Sequence, residues 1–176
     1  MNMHDTIVKA LREATINVFS TMLGVEIDCG PGCVETSSPE TNDGIVSFIG
    51  VAGPWTGTGS LTCSPLMACR ISSQMLMSEF ESVNEDVLDA VAEVTNMIIG
   101  NVKTDLEPHL GALGLSIPTV VYGRNFKTRN AGNIEWIVVR ATWQEEVMSV
   151  KMRLAPGDRA SHAAYHLAGT ACALEV

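Results

Sequence analysis

Apolar side chains recur every three or four residues along LDAVAEVTNMIIGNVKTDLEP, residues 88–108. This spacing is the period of an amphipathic α-helix. At about 100° per residue, one arc of this helix collects Val87, Val91, Val94, Ile98 and Val102. An arc that is apolar over four turns has to be buried, so we predict a long helix, entered at Asn84 or Glu85, that packs on a second layer of structure.

The rest of the chain supplies two more helices and several strands. From His4 to Leu23 apolar residues recur at helical spacing, and Gly24 is a natural stop. A shorter helix is predicted from about Pro65 to Glu79, with Ser64 as its N-cap. Five β-rich runs predict strands: GIVSFIGVAG, TGTGSLTCS, LSIPTVVYG, EWIVVRATWQ and EVMSVKMRL. Residues 28–42 show turn chemistry, with one short strand expected around Val34.

Helices and strands are intermixed without strict βαβ alternation, and no GxGxxG or GxxxxGK[ST] motif occurs. We therefore predict a single α+β domain over residues 1–156, in which long helices pack on one face of a largely antiparallel β-sheet. The Ala-rich residues 157–176 are predicted to be a C-terminal tail, either helical or partly disordered.

The net charge of the chain limits the classes of molecule that it can bind. Eleven basic residues against twenty acidic ones give a net charge of -9, which repels nucleic acid and anionic membrane surfaces. The N-terminal residues carry charges where an export signal needs an apolar core. The longest uncharged run, Gly44 to Cys69, is broken by Gly, Pro, Ser and Thr, so it is not a spanning helix. We expect a cytoplasmic protein.

Cysteine and histidine spacing gives weak support for a metal or disulfide. The five cysteines form an odd set without repeated spacing, which favours reduced thiols. In CGPGC, a Gly-Pro-Gly turn could bring Cys29 and Cys33 together for a disulfide or a metal, but further ligands are not evident. His162 and His166 are four residues apart without an HExxH-type glutamate. We therefore predict no metal site, and keep a thiol or metal sensor as one rival hypothesis.

The face of the long helix opposite its apolar arc is unusual. Asp89, Glu93, Asn96 and Gly100 stack there with spacings of four, three and four residues; we call this set the polar ridge. A plain solvated face is the alternative, but such faces tend to pair Glu with Lys and avoid Gly, which costs roughly 1 kcal/mol against Ala. Asn96 has no useful pKa for proton transfer but can hold a water molecule, and Glu93 is an anion that can bind a lysine. A ridge on a convex helix would have to enter the active site of another protein.

The pattern Asp89-x3-Glu93-x2-Asn96, continued as NMIIGN and followed by Pro118 in SIPTVVYG, resembles the signature of the CheC/CheX/FliY family of chemotaxis phosphatases, and CheX-like members in particular. The close match covers residues 83–123. The resemblance implies hydrolysis of the aspartyl-phosphate on a CheY-type response regulator. In that mechanism the residue matching Glu93 pairs with the regulator's lysine, and the one matching Asn96 aligns the attacking water. The resemblance also implies that Asp89 and Gly100 contact the partner, that Pro118 is a structural part of the motif, and that Mg²⁺ belongs to the regulator.

Two further points follow from the resemblance. Some family members carry the motif twice, but the first helix offers only Glu13 and Asn17 at a spacing of four, with Lys9 in place of an upstream acid. We interpret this as a decayed or coincidental echo and predict one active ridge. The resemblance also suggests a homodimer formed through exposed sheet edges. The main rival is a module that binds a receiver domain or a flagellar-switch partner without hydrolysing anything.

Overall fold

Three helices lie on one face of an eight-stranded sheet in the computed structural model of the chain, which describes residues 2–36, 40–128 and 135–157. The helices are α1 (Met3–Met22), α2 (Pro65–Leu76) and α3 (Glu85–Leu110). The strands are β1 (Asp28–Cys29), β2 (Cys33–Thr36), β3 (Glu40–Ala52), β4 (Trp55–Cys63), β5 (Gly114–Leu115), β6 (Thr119–Thr128), β7 (Glu135–Trp143) and β8 (Glu146–Pro156). The predicted α+β class is confirmed. The proposed tail lies outside the described residues, apart from Gly157.

Every strand pairing in the sheet is antiparallel. The central order is β7-β8-β4-β3, with β1 and β2 along the free side of β7, and β5 and β6 along the free side of β3. Two hairpins join strands that the sequence predicted: β3 turns into β4 after Ala52, and β7 into β8 through Gln144 and Glu145. Both of those turn residues have positive φ, at 49° and 69°, as a two-residue hairpin requires.

The ends of the helices follow the sequence closely. The Ser64 hydroxyl accepts a hydrogen bond from the Met67 amide at 3.0 Å and so caps α2. Gly24, just beyond α1, has a φ of 66°, a conformation in which a glycine ends a helix at no steric cost. The prediction that α2 reaches Glu79 was wrong, because Met77 adopts a left-handed conformation at the C-cap and the chain leaves the helix there.

Residues 28–42 contain more strand than predicted. The strand around Val34 is confirmed as β2, but β1 precedes it and β3 already begins at Glu40. These additional segments pair with β7 and β6, which lie about a hundred residues away in the chain. Local turn chemistry could not reveal those partners.

The core lies between the helices and the sheet. α3 packs on α1, α2, β3, β4 and β6, while α1 covers β1, β7 and β8. Close packing is visible at Gly59 in β4, where an added Cβ would come within 2.6 Å of the Ile99 side chain. This arrangement holds α3 against the sheet along its length and fixes which of its faces points outward.

Candidate functional site

The polar ridge runs along the outward face of α3. The helix begins at a firm N-cap, where the Asn84 side chain accepts a hydrogen bond from the Val87 amide at 3.0 Å. Glu85 and Asp86 follow in the first turn, where the positive end of the helix dipole stabilises acidic side chains. The predicted buried arc is confirmed, since all five of its residues are at most 1% exposed: Val87, Val91, Val94, Ile98 and Val102.

The four ridge residues lie together on the opposite side, as their spacing predicted. Asp89 and Glu93 are exposed, whereas Asn96 and Gly100 are half-buried. From Asp89 to Gly100 the ridge extends over eleven residues, about 16 Å of helix. The result is a straight polar strip on a convex surface, which fits the recess of a partner better than it encloses a ligand.

The ridge side chains are free to bind. Within the described part of the chain, no hydrogen bond or ion pair engages the side chains of Asp89, Glu93 or Asn96. At Gly100, an added Cβ would meet no heavy atom within 4 Å. The ridge therefore presents two unpaired carboxylates, an unpaired amide and a length of bare backbone.

Beyond Gly100 the surface changes character, a feature that sequence reasoning missed. Lys103 Nζ lies 2.8 Å from Glu107 Oε1, and the same oxygen accepts a hydrogen bond from the Leu113 amide at 2.9 Å. The hydrogen bond from Lys103 holds the pKa of Glu107 below its ordinary value. The Lys-Glu spacing of four residues was the available signal. Because Lys103 is already paired, it does not offset the negative charge of the ridge.

Pro118 lies outside the ridge, in a break between two strand segments that both pair with β3. β5 pairs at Val51 and Ala52, and β6 pairs from Phe48 back to Glu40. Between these segments the Ser116 amide donates to the Gly50 carbonyl at 2.9 Å. Proline has no amide hydrogen to continue the ladder, so Pro118 fits this break. Its place is consistent with a structural part of the motif.

The echo of the motif on α1 has different surroundings. Glu13 forms an ion pair with Lys9 at 3.8 Å within its own helix. Asn17 and Glu13 line a shallow polar groove of about 300 Å³ between α1 and α3, facing Asn101, Thr104 and Asp105. Glu13 therefore has a cation beside it, unlike Glu93. This difference favours the interpretation that the chain has one active ridge.

The two cysteines of CGPGC are not brought together. Cys29 pairs with Ala141 and Cys33 with Val138, and positions three apart on one strand face opposite sides of a sheet. Cys29 is buried under the helices, and burial raises the pKa of its thiol. Cys33 lies on the other face, 3.6 Å from Arg140 Nη1, and Arg140 also pairs with Glu35. Both thiols are free, so this arrangement does not support the rival hypothesis of a disulfide or a shared metal site at these two positions.

The described residues contain neither a cluster of metal ligands nor a helix that could span a membrane. Among residues 2–36, 40–128 and 135–157, no three His, Cys, Asp or Glu side chains are grouped as metal ligands. Within the same residues, none of the helices combines the length and the apolar character needed to span a bilayer. His162 and His166 lie outside the described residues.

The chain is similar in sequence to known chemotaxis phosphatases. The family model described as chemotaxis phosphatase CheX matches residues 45–142, a span that contains the whole ridge and Pro118. The chain belongs to the CheX family. A CheY-P phosphatase CheX from Thermotoga maritima is 33% identical over 135 residues, which are 75% of this chain and 85% of that protein.

Solved structures agree with this assignment. A chemotaxis protein CheX from Desulfovibrio desulfuricans superposes with a TM-score of 0.75 at 26% identity, over 85% of this chain and 99% of that one. The CheX chain in a CheX-CheY-BeF3-Mg²⁺ complex from Borrelia burgdorferi has a TM-score of 0.68 at 22% identity, with coverage of 84% and 97%. At this identity, the similarity to the Borrelia burgdorferi chain shows a shared fold. The CheX-family assignment therefore rests on sequence and architecture together.

Proposed function

We propose that this CheX-family protein hydrolyses the aspartyl-phosphate of a CheY-type response regulator. The observation that carries the proposal is the unpaired Asn96 amide, one turn from the unpaired Glu93 carboxylate on a convex helix face. The family assignment supports the reaction class, and the relative from Thermotoga maritima is named a CheY-P phosphatase.

In the proposed mechanism, α3 enters the regulator's active site with its ridge. The Asn96 carbonyl oxygen accepts a hydrogen bond from a water molecule and places the water oxygen in line with phosphorus. The P–O bond to the regulator's aspartate then breaks, and the products are its free carboxylate and inorganic phosphate. Phosphoryl transfer depends mainly on positioning and charge stabilisation, so a carboxamide that cannot act as a base is still sufficient.

The other ridge residues are assigned to binding. Glu93 pairs with the active-site lysine of the regulator, Asp89 adds a second anion one turn before it, and Gly100 lets the partner backbone approach. We propose that the Mg²⁺ used in the reaction is held by the regulator, as the family resemblance implies.

The test compares variants of the two central residues, using a regulator labelled through acetyl phosphate. Asn96→Ala should lower the rate of dephosphorylation by roughly a hundredfold, on the order of 2.7 kcal/mol of barrier, while affinity for the phosphorylated regulator changes little. Asn101→Ala is the matched control, because Asn101 lies on the same helix but faces α1.

Glu93 should behave differently. Glu93→Ala and Glu93→Gln should both weaken binding as well as turnover, because the lysine requires the charge rather than the shape of the side chain. Asp105→Asn, an exposed acid on the α1 side of α3, is the matched control. If folded Asn96→Ala removes the label as fast as the parent, the phosphatase proposal fails and a non-catalytic receiver-binding module replaces it.

We also propose that the protein works in the cytoplasm as a homodimer joined through the β6 edge. Among the described residues β6 pairs only with β3, and it exposes Val121. An open edge strand of ten residues offers a row of backbone donors and acceptors to a second copy.

A further inference from the structure

An apolar groove opens beyond the N-terminal end of α3. It lies between the start of α2, residues 80–83 and β6, and has a volume of about 570 Å³. Its apolar lining consists of Pro65, Leu66, Phe80, Val83 and Tyr122. The groove adjoins the start of α3, because Val83, one of its lining residues, directly precedes the Asn84 cap; Asp89, the first residue of the ridge, lies one turn into the helix.

Large apolar side chains are exposed at both ends of α2, and the groove lies at its N-terminal end. Leu66 is 51% exposed and Met77 is 95% exposed. The Met77 backbone is left-handed, and the Phe80 amide donates to the Ser73 hydroxyl at 3.2 Å, which ties the connection back to α2. This geometry places Phe80 against the core and leaves Met77 in solvent. An exposed leucine in the lining of an apolar groove is typical of a surface that a partner covers.

The rim of the groove and the start of α3 are predominantly acidic. Residues 71–102 contain no basic side chain. The acidic side chains in this span, all of them exposed, are Glu79, Glu81, Glu85, Asp86, Asp89 and Glu93. Arg124 is the one cation among the described residues that line the groove. The partner surface should therefore be basic around an apolar centre.

The ridge alone is too small to form a specific interface. Such interfaces involve roughly 20–30 residues on each side, whereas the ridge has four. A second copy of this chain is a poor occupant, because two acidic rims would face each other and like charges repel. Nucleic acid and anionic lipid are repelled for the same reason.

We infer that the apolar groove and its acidic rim are a second contact surface for the phosphorylated regulator, an inference that rests on the proposed function. The contacting face of the regulator carries lysine or arginine around an exposed apolar side chain. Glu85, at the start of α3, and Asn96 are eleven residues apart, about 16 Å along the helix. Because Asn96 is proposed to reach the phosphoryl group, the regulator face that contacts the groove lies about 16 Å or more from that group.

The experiment measures kcat and KM for dephosphorylation of the labelled regulator. Leu66→Ser should raise KM about tenfold, as loss of a central apolar contact does, and leave kcat unchanged. The matched controls are the single variants Ile16→Ser and Val147→Ser, at exposed apolar residues on α1 and on the opposite face of the sheet, which should leave KM unchanged. Replacing Glu79 and Glu81 by Gln should raise KM at low salt and weaken its dependence on salt.

Each other result overturns the inference. A groove variant with the parent KM, or one that changes the molar mass by light scattering, would show that the regulator does not occupy the groove. A fall in kcat with KM unchanged would show that these residues act on folding or on the hydrolysis step, not on binding of the regulator. Asn96→Ala is measured in parallel: if it abolishes turnover while the groove variants behave like the parent, only this inference fails, whereas full activity of Asn96→Ala removes the proposed function.

Discussion

Gly100 gives a sharp test of the ridge, because stability and binding should respond to its replacement in opposite directions. It lies in the interior of α3, where glycine costs about 1 kcal/mol relative to alanine. A Cβ at this position would meet no heavy atom within 4 Å, so no clash opposes the gain. We therefore expect Gly100→Ala to raise the free energy of unfolding by about 1 kcal/mol and Tm by about 2–4 °C in a chain of this size.

Binding should weaken as the side chain grows. If the partner backbone approaches Gly100, Gly100→Leu should raise KM for the phosphorylated regulator about tenfold or more, equivalent to roughly 1.4 kcal/mol. Gly100→Ala should have a smaller effect, and both variants should retain the kcat of the parent because Asn96 is unchanged.

The assay combines thermal unfolding by circular dichroism with steady-state dephosphorylation. Gly59→Ala is the contrasting control for stability, since its Cβ would come within 2.6 Å of Ile99 and should lower Tm. A lower Tm for Gly100→Ala would contradict the prediction that a side chain fits at this position without a clash. An unchanged KM for Gly100→Leu would remove this residue from the docking surface.

Three further outcomes are expected. Burial raises the pKa of Cys63 to about 12, so above pH 9 the unfolded chain releases the thiol proton while the folded chain holds it. The free energy of unfolding should therefore fall as the pH rises, and it should fall less in Cys63→Ala. The isolated protein should show no stoichiometric Mg²⁺ binding by calorimetry, while hydrolysis stops when Mg²⁺ is removed from the mixture with regulator; Mg²⁺ bound near Glu93 would contradict the proposed mechanism. Val121→Lys should shift the protein from dimer to monomer by light scattering, because lysine on an edge strand opposes pairing, and a mass equal to that of the parent would exclude the β6 edge.

The sequence by itself determined the helices and the ridge. Periodicity is a local property, and it identified both the arc from Val87 to Val102 that is buried and the opposite face that carries Glu93 and Asn96. Capping is local as well, so Ser64 and Gly24 marked a helix start and a helix end correctly. The family signature is likewise confined to one helix and the proline that follows it.

Only the tertiary structure decided the features that depend on distant parts of the chain. Register with β7 places Cys29 and Cys33 on opposite faces of the sheet, a point that the CGPGC sequence left open. The contact between Glu107 and the Leu113 amide depends on how the chain turns after α3. The apolar groove exists because α2, residues 80–83 and β6 converge, and β6 takes its place by pairing with β3, a strand more than seventy residues earlier. Side-chain spacing carries no information about such pairings, since they are chosen by the packing of the whole sheet against its helices.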